Sequence, residues 1–182
     1  MSHLIGVAIE IPAPWAHELS SWRAKVGDPL ADVIPPHITV LPPTPMPADA
    51  IDSAEAHLAA VASAHPTFEL HLSGTGTFRP VSDVVFVTVA NGLAQCHQLH
   101  DAVRAGPLAQ AAAFPYHPHV TVAHGVPAES LDRAADGLAD FAARFEVSEF
   151  ALYTHGSDRL WRRRRSFALA SPPAARPDVT NA

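Results

Sequence analysis

The chain has 182 residues, 48% of them hydrophobic, with a formal charge of -6 and a pI near 6.0. That length and apolar content suit one large domain or two small lobes with a real core. The acidic balance excludes a protein that coats nucleic acid by neutralising phosphates, and leaves room for a nucleic-acid end bound in one pocket.

Cys96 is the single cysteine, so neither a disulfide framework nor a cysteine-based zinc site is expected, and a reducing, cytoplasmic setting follows. The opening MSHLIGVAIEIPAPW has no basic stretch before its apolar run, and that run breaks at Glu10 and Pro12. No segment approaches the apolar length of a membrane span.

In chain order, HLIGVAIEI alternates as a strand does, and PAPWAHELSSWRAKVG reads as a helix with Pro14 near its first turn. PPHITVL is the next strand. Pro42, Pro43, Pro45 and Pro47 are expected to stiffen a loop before the alanine-rich helix ADAIDSAEAHLAAVASAH. FELHLSGTGTFRP returns as an extended segment.

From Asp83 the order repeats: DVVFVTVA as a strand, then NGLAQCHQLHDAVRAG as a helix capped by Asn91, then PHVTVA. A helix AESLDRAADGLADFAARF, a strand FEVSEFALYTHG and a final strand LWRRRRSFALA follow. Two β-α-β-α-β units are the economical reading, with halves 1–82 and 83–170 of one domain and strand exchange between them allowed. The Pro-rich end, 171–182, is expected to be disordered.

The two halves share a motif: PPHITV at 35–40 and HPHVTV at 117–122. Composition alone yields His-x-Thr roughly 0.6 times per chain, and about 0.06 times with Pro in front, so the pair is signal. In a strand, His37 and Thr39 face one way while Ile38 and Val40 face the other; His119 and Thr121 do the same against Val120 and Val122. Two imidazoles titrating near neutrality suit paired acid-base chemistry, and two hydroxyls can hold nonbridging phosphate oxygens. A metal site built on His117, His119 and His124 is the competing reading, although Pro35 stands where His117 would be repeated.

PHITV and PHVTV resemble the signature of the 2H phosphoesterase superfamily, in particular its branch of 2′,5′ RNA ligases and RNA 2′,3′-cyclic phosphodiesterases. The resemblance runs from residue 1 to about 170. It implies a bilobal, duplicated α+β fold, with two antiparallel sheets and flanking helices around a central cleft. It also implies metal-independent hydrolysis of 2′,3′-cyclic phosphates to 2′-phosphates, with reversible 2′,5′ joining in some members and no cofactor.

Carried over, His37 matches the general acid, His119 the general base, and Thr39 and Thr121 the groups that hold the phosphate. Where relatives often place an arginine after the second motif, this chain has Ala123, His124 and Gly125. Substrate contacts are expected from Tyr116 and Trp161 as stacking platforms, from His124, and from Arg163 and Arg165. In a regular strand Arg163 and Arg165 share a face opposite Arg162 and Arg164, and a solvated outer face is the alternative for the whole run. The expected partner is an RNA end or a cyclic nucleotide, bound by a monomer. A small-molecule cyclic phosphodiesterase and a binding module without turnover are the alternatives.

Overall fold

The structure is a computed structural model, and it describes residues 2–111, 114–156, 158 and 160–171. The tail expected to be disordered lies, apart from Ser171, outside these residues.

Strand β1 (Ser2–Glu10) leads through helix α1 (Trp15–Val26) to β2 (His37–Pro47). After a short 3₁₀ turn come α2 (Ile51–Ala64), β3 (Phe68–Thr77), β4 (Val84–Asn91) and α3 (Leu93–Val103). Then follow β5 (His119–His124), α4 (Ala128–Gly137), β6 (Ala142–Val147), β7 (Glu149–His155) and β8 (Trp161–Ala168). The fold is α+β, with an antiparallel sheet in the order β6-β3-β4-β5-β2-β1-β7-β8.

The two expected sheets are the two four-stranded halves of this one sheet. They join at β5 and β2 through a single residue pair, Ile38 opposite Val120. Each half mixes early and late strands: β3 pairs with β4 and β6, while β7 pairs with β1 and β8. Strand alternation buries Ile38, Val40, Val120 and Val122 completely, beneath helices: α3 packs on β2, and α1 and α4 pack on β5.

Four expectations are corrected by this architecture. The prolines do not make a loop, because β2 continues through Pro47; they fall where it has only β1 as a neighbour, so the missing N–H groups cost the sheet little. Helix α4 stops at Gly137, and residues 142–145, read as its continuation, belong instead to the edge strand β6, which pairs with β3. FEVSEFALYTHG, read as one strand, is two strands separated at Ser148, the first paired with β3 and the second with β1.

The fourth concerns the cap of α3. It is Gly92, at φ 90, and Asn91 is the last residue of β4. A Cβ at Gly92 would meet the Glu69 carbonyl oxygen at 2.9 Å, in a backbone conformation that side chains resist. Gly92→Ala is expected to destabilise the protein by about 1–3 kcal/mol, read as a lower urea midpoint with an unchanged slope.

Candidate active site

The Ile38–Val120 pair fixes the register of the two motifs. One residue to either side, an antiparallel ladder sets His37 opposite Thr121 and Thr39 opposite His119, all four on the face away from the helices. The histidines are then diagonal neighbours, with about 7–8 Å between their backbone positions in a regular ladder, within reach of one phosphate for side chains of this length. All four side chains are half-buried. His37 and Thr121 also line a common cavity of about 150 Å³, together with Arg23, Asp28 and His124.

Both rings are held alike. His37 Nδ1 lies 2.8 Å from the Pro35 carbonyl, and His119 Nδ1 lies 2.6 Å from the His117 carbonyl. A carbonyl only accepts, so each Nδ1 carries the proton and each neutral ring keeps Nε2 free. Burial lowers the pKa of both imidazoles. The carbonyl bonds act against that, while Arg23 lowers His37 further and His117 and His37 lower His119 further. Among the described residues no protein acceptor takes the Thr39 or Thr121 hydroxyl.

Beside His37 and Thr39 lies a cleft of about 180 Å³ with mostly apolar walls. Gly6, Ala8 and Glu10 of β1, Pro35, Pro43, Tyr153 and Trp161 contribute to it. The small residues of β1 make the space, and the Trp161 ring lies against Gly6. At the rim, Glu10 accepts hydrogen bonds from the Tyr153 hydroxyl and from Arg163. Burial, then Glu10, pushes the Tyr153 pKa up to about 12.

The expected substrate contacts divide. Trp161 lines the cleft and His124 the adjoining cavity. Arg163 reaches the rim but is bound to Glu10 and lies 3.7 Å from Glu149. Arg165 points elsewhere: the β7–β8 register shifts between Leu152 and Tyr153, and Arg164 and Arg165 both bind Glu55 of α2. That shift breaks the strict alternation on which the pairing of Arg163 with Arg165 rested. Tyr116 lines neither space. Its ring stacks on His100 at 3.7 Å, and its hydroxyl donates to the Thr39 carbonyl at 3.0 Å, so it supports β2.

Three further contributors were not anticipated from the sequence. Glu10 ends a strand whose alternation announces only a core face. Phe78 and Phe86 flank the His119 ring at centroid distances of 4.9 and 5.1 Å, and also contact His117. The signal available for Phe86 was Gly76: a Cβ there would stand 2.7 Å from the Phe86 ring. Among the described residues, no group of three or more His, Cys, Asp or Glu side chains gathers as a metal site.

The sequence profile of the 2′-5′ RNA ligase superfamily matches residues 11–159. The chain belongs to this superfamily, the 2H phosphoesterases. A Bacillus cytotoxicus relative named "Putative phosphoesterase" is 25% identical over 169 residues, covering 91% of this chain and 96% of its own. Relatives of the same name from Bacillus cereus strains share the same identity. The fold of this 2H protein matches E. coli LigT complexed with 3′-AMP, with a TM-score of 0.70 at 22% identity over 93% of this chain and 99% of LigT. A Thermus thermophilus structure matches with a TM-score of 0.61 at 20% identity, over 92% of this chain and 98% of its own. LigT has also been crystallised with NADP+ and with ATP. In this chain, among the described residues, no helix is long and apolar enough to cross a membrane.

Proposed function

We propose that this protein is a phosphodiesterase that opens 2′,3′-cyclic phosphates of nucleotides or RNA ends to 2′-phosphates without a metal. The observation that carries the reading is the crossed arrangement around Ile38 and Val120, two His-Thr pairs with both Nδ1 atoms tied to carbonyls. Superfamily membership and the phosphoesterase names of the relatives support it.

In this reaction His119 Nε2 takes a proton from water as the water oxygen bonds to phosphorus. The bond from phosphorus to O3′ breaks on the opposite side, and protonated His37 gives its Nε2 proton to that oxygen. The products are a 2′-phosphate and a free 3′-hydroxyl. Thr39 and Thr121 donate hydrogen bonds to the nonbridging oxygens, where charge accumulates. His37 is assigned the acid as the family resemblance implies, and the apolar cleft beside it supports this by offering room for a nucleoside on the side of the leaving oxygen. A 5′-hydroxyl in place of water turns the same displacement into 2′,5′ joining.

The cleft itself favours the small-substrate form of this reading. Among the described residues Arg163 reaches the rim, but it is committed to Glu10, so the pair offers little net positive charge to the further phosphates of an RNA chain. Comparing kcat/KM for cyclic mononucleotides and cyclic-ended oligoribonucleotides tests this, with the product phosphate located by phosphorus NMR. Rates within about threefold are expected, whereas a gain of tenfold or more with added nucleotides would establish an RNA-end enzyme. Chelator is expected to leave turnover intact; loss in EDTA, restored by a divalent ion, would overturn the metal-free chemistry.

A further inference from the structure

The segment 27–36 between α1 and β2 has neither helix nor strand, yet it supplies the carbonyl that orients His37. It is anchored by a charged pair in the interior. Arg23, in the last turn of α1, donates from Nε to Asp28 Oδ2 at 2.8 Å, with the two side chains 6% and 2% exposed. Asp28 Oδ1 accepts from the Leu30 amide at 2.9 Å, and Arg23 Nη1 donates to the Ile34 carbonyl. Ile34 is bonded to Pro35, and the Pro35 carbonyl holds His37 Nδ1.

A buried ion pair contributes little net stability, because desolvating two charges offsets their attraction. Its retention here has a geometric explanation. Every hydrogen bond of the pair named above lands on the segment that ends at His37, and Arg23 and Asp28 line the cavity shared by His37 and Thr121. Among the described residues the other half has no equivalent clamp. Arg104, at the end of α3, donates to the Gln110 carbonyl but has no carboxylate partner among the described residues, and its buried Nε is unpaired.

We infer that Arg23 and Asp28 are positioning residues for His37: the buried pair fixes the 27–36 segment so that the Pro35 carbonyl keeps Nε2 of His37 turned toward the phosphate. The inference rests on the reading of His37 as the acid, but its test does not require turnover. Other titratable groups around His37 are Glu10 from β1, His119 and His124 from β5, and Tyr153 from β7, and none of them bonds to this segment.

Ring-nitrogen NMR of the full chain reads the result directly. In the unmodified protein, neutral His37 should carry its proton on Nδ1; a proton on Nε2 would overturn the inference whether or not any variant folds. Arg23→Gln and Asp28→Asn should each loosen that tautomer preference while leaving His119 unchanged. They should also move the His37 midpoint in opposite directions. Loss of the Arg23 cation raises it, and loss of the Asp28 anion, which leaves that cation unneutralised, lowers it.

With a cyclic mononucleotide, kcat should fall on the order of 10²-fold and KM stay within about threefold, since the defect is in aim and not in binding. Arg23→Lys keeps the charge and loses the fork, and should show the kcat defect with little change in the His37 midpoint. Folded variants with an unaltered His37 spectrum would overturn the inference. An unmodified protein inactive on every cyclic phosphate would refute the proposed reaction and leave the NMR result standing.

Discussion

His37→Ala and His119→Ala should each fold and lose about 10²–10⁴ of kcat on a 2′,3′-cyclic phosphate. The loss follows from geometry: each ring is half-buried at the start of its strand, with Nδ1 committed to a carbonyl and Nε2 left for proton transfer. The pH profile separates the two roles. Since the base must be neutral and the acid protonated, kcat/KM for the unmodified enzyme should be a bell. Burial holds both imidazoles below their ordinary value, so its alkaline limb should fall before pH reaches the range of an exposed histidine. An anionic phosphate in the site favours imidazolium, so the kcat profile should lie alkaline of kcat/KM.

Residual activity of His37→Ala should lack the alkaline limb, and that of His119→Ala the acid limb. A full bell surviving in either variant would remove that residue from the chemistry. The same shifts act on stability. Between the lowered folded pKa and the ordinary one, the unfolded chain binds more protons, so stability drops as pH falls through that window. Each alanine variant should therefore lose less Tm than the unmodified protein between pH 7 and pH 5.

Thr39→Val and Thr121→Val are each expected to cost about 10²–10³ in kcat, the scale for deleting one donor to a charged transition state. Valine keeps the branched shape that suits a strand, so the sheet should be undisturbed. Serine at either position restores a donor and should recover most of the activity. KM should change little, because charge on the nonbridging oxygens grows chiefly as the phosphorus–oxygen bonds reorganise. Valine variants with unimpaired kcat would show that the hydroxyls do not hold the phosphate.

Much of the site was legible because two-residue periodicity is a local property. The sequences around His37 and His119 declare both the core face and the face away from it, and the duplication identifies the halves that present them. What stayed hidden depended on partners distant in sequence. The path of β2 through four prolines is decided by its having one neighbour there, which no local propensity encodes. Ser148 separates two strands that read as one, because β6 is drawn to β3 and β7 to β1.

The basic run shows the same limit in side chains. Alternation would send Arg164 and Arg165 to opposite faces, but an irregular register beside Leu152 and Tyr153 lets both reach Glu55, more than 100 positions earlier in the chain. Tyr116 looked like a platform for a base because it precedes the second motif. The stacking partner it found is His100, and the strand it braces carries the first motif.

The sheet order carries a consequence for how such a molecule can be divided. With β3 lodged among the late strands and β7 and β8 among the early ones, a nick at the midpoint of the polypeptide would not release two self-sufficient units. Each fragment would keep strands whose hydrogen-bonding edges only the other can satisfy, so the pieces would have to find one another before either finished folding. His37 and His119 would fall on different fragments, so under the proposed reaction neither could carry the chemistry off alone.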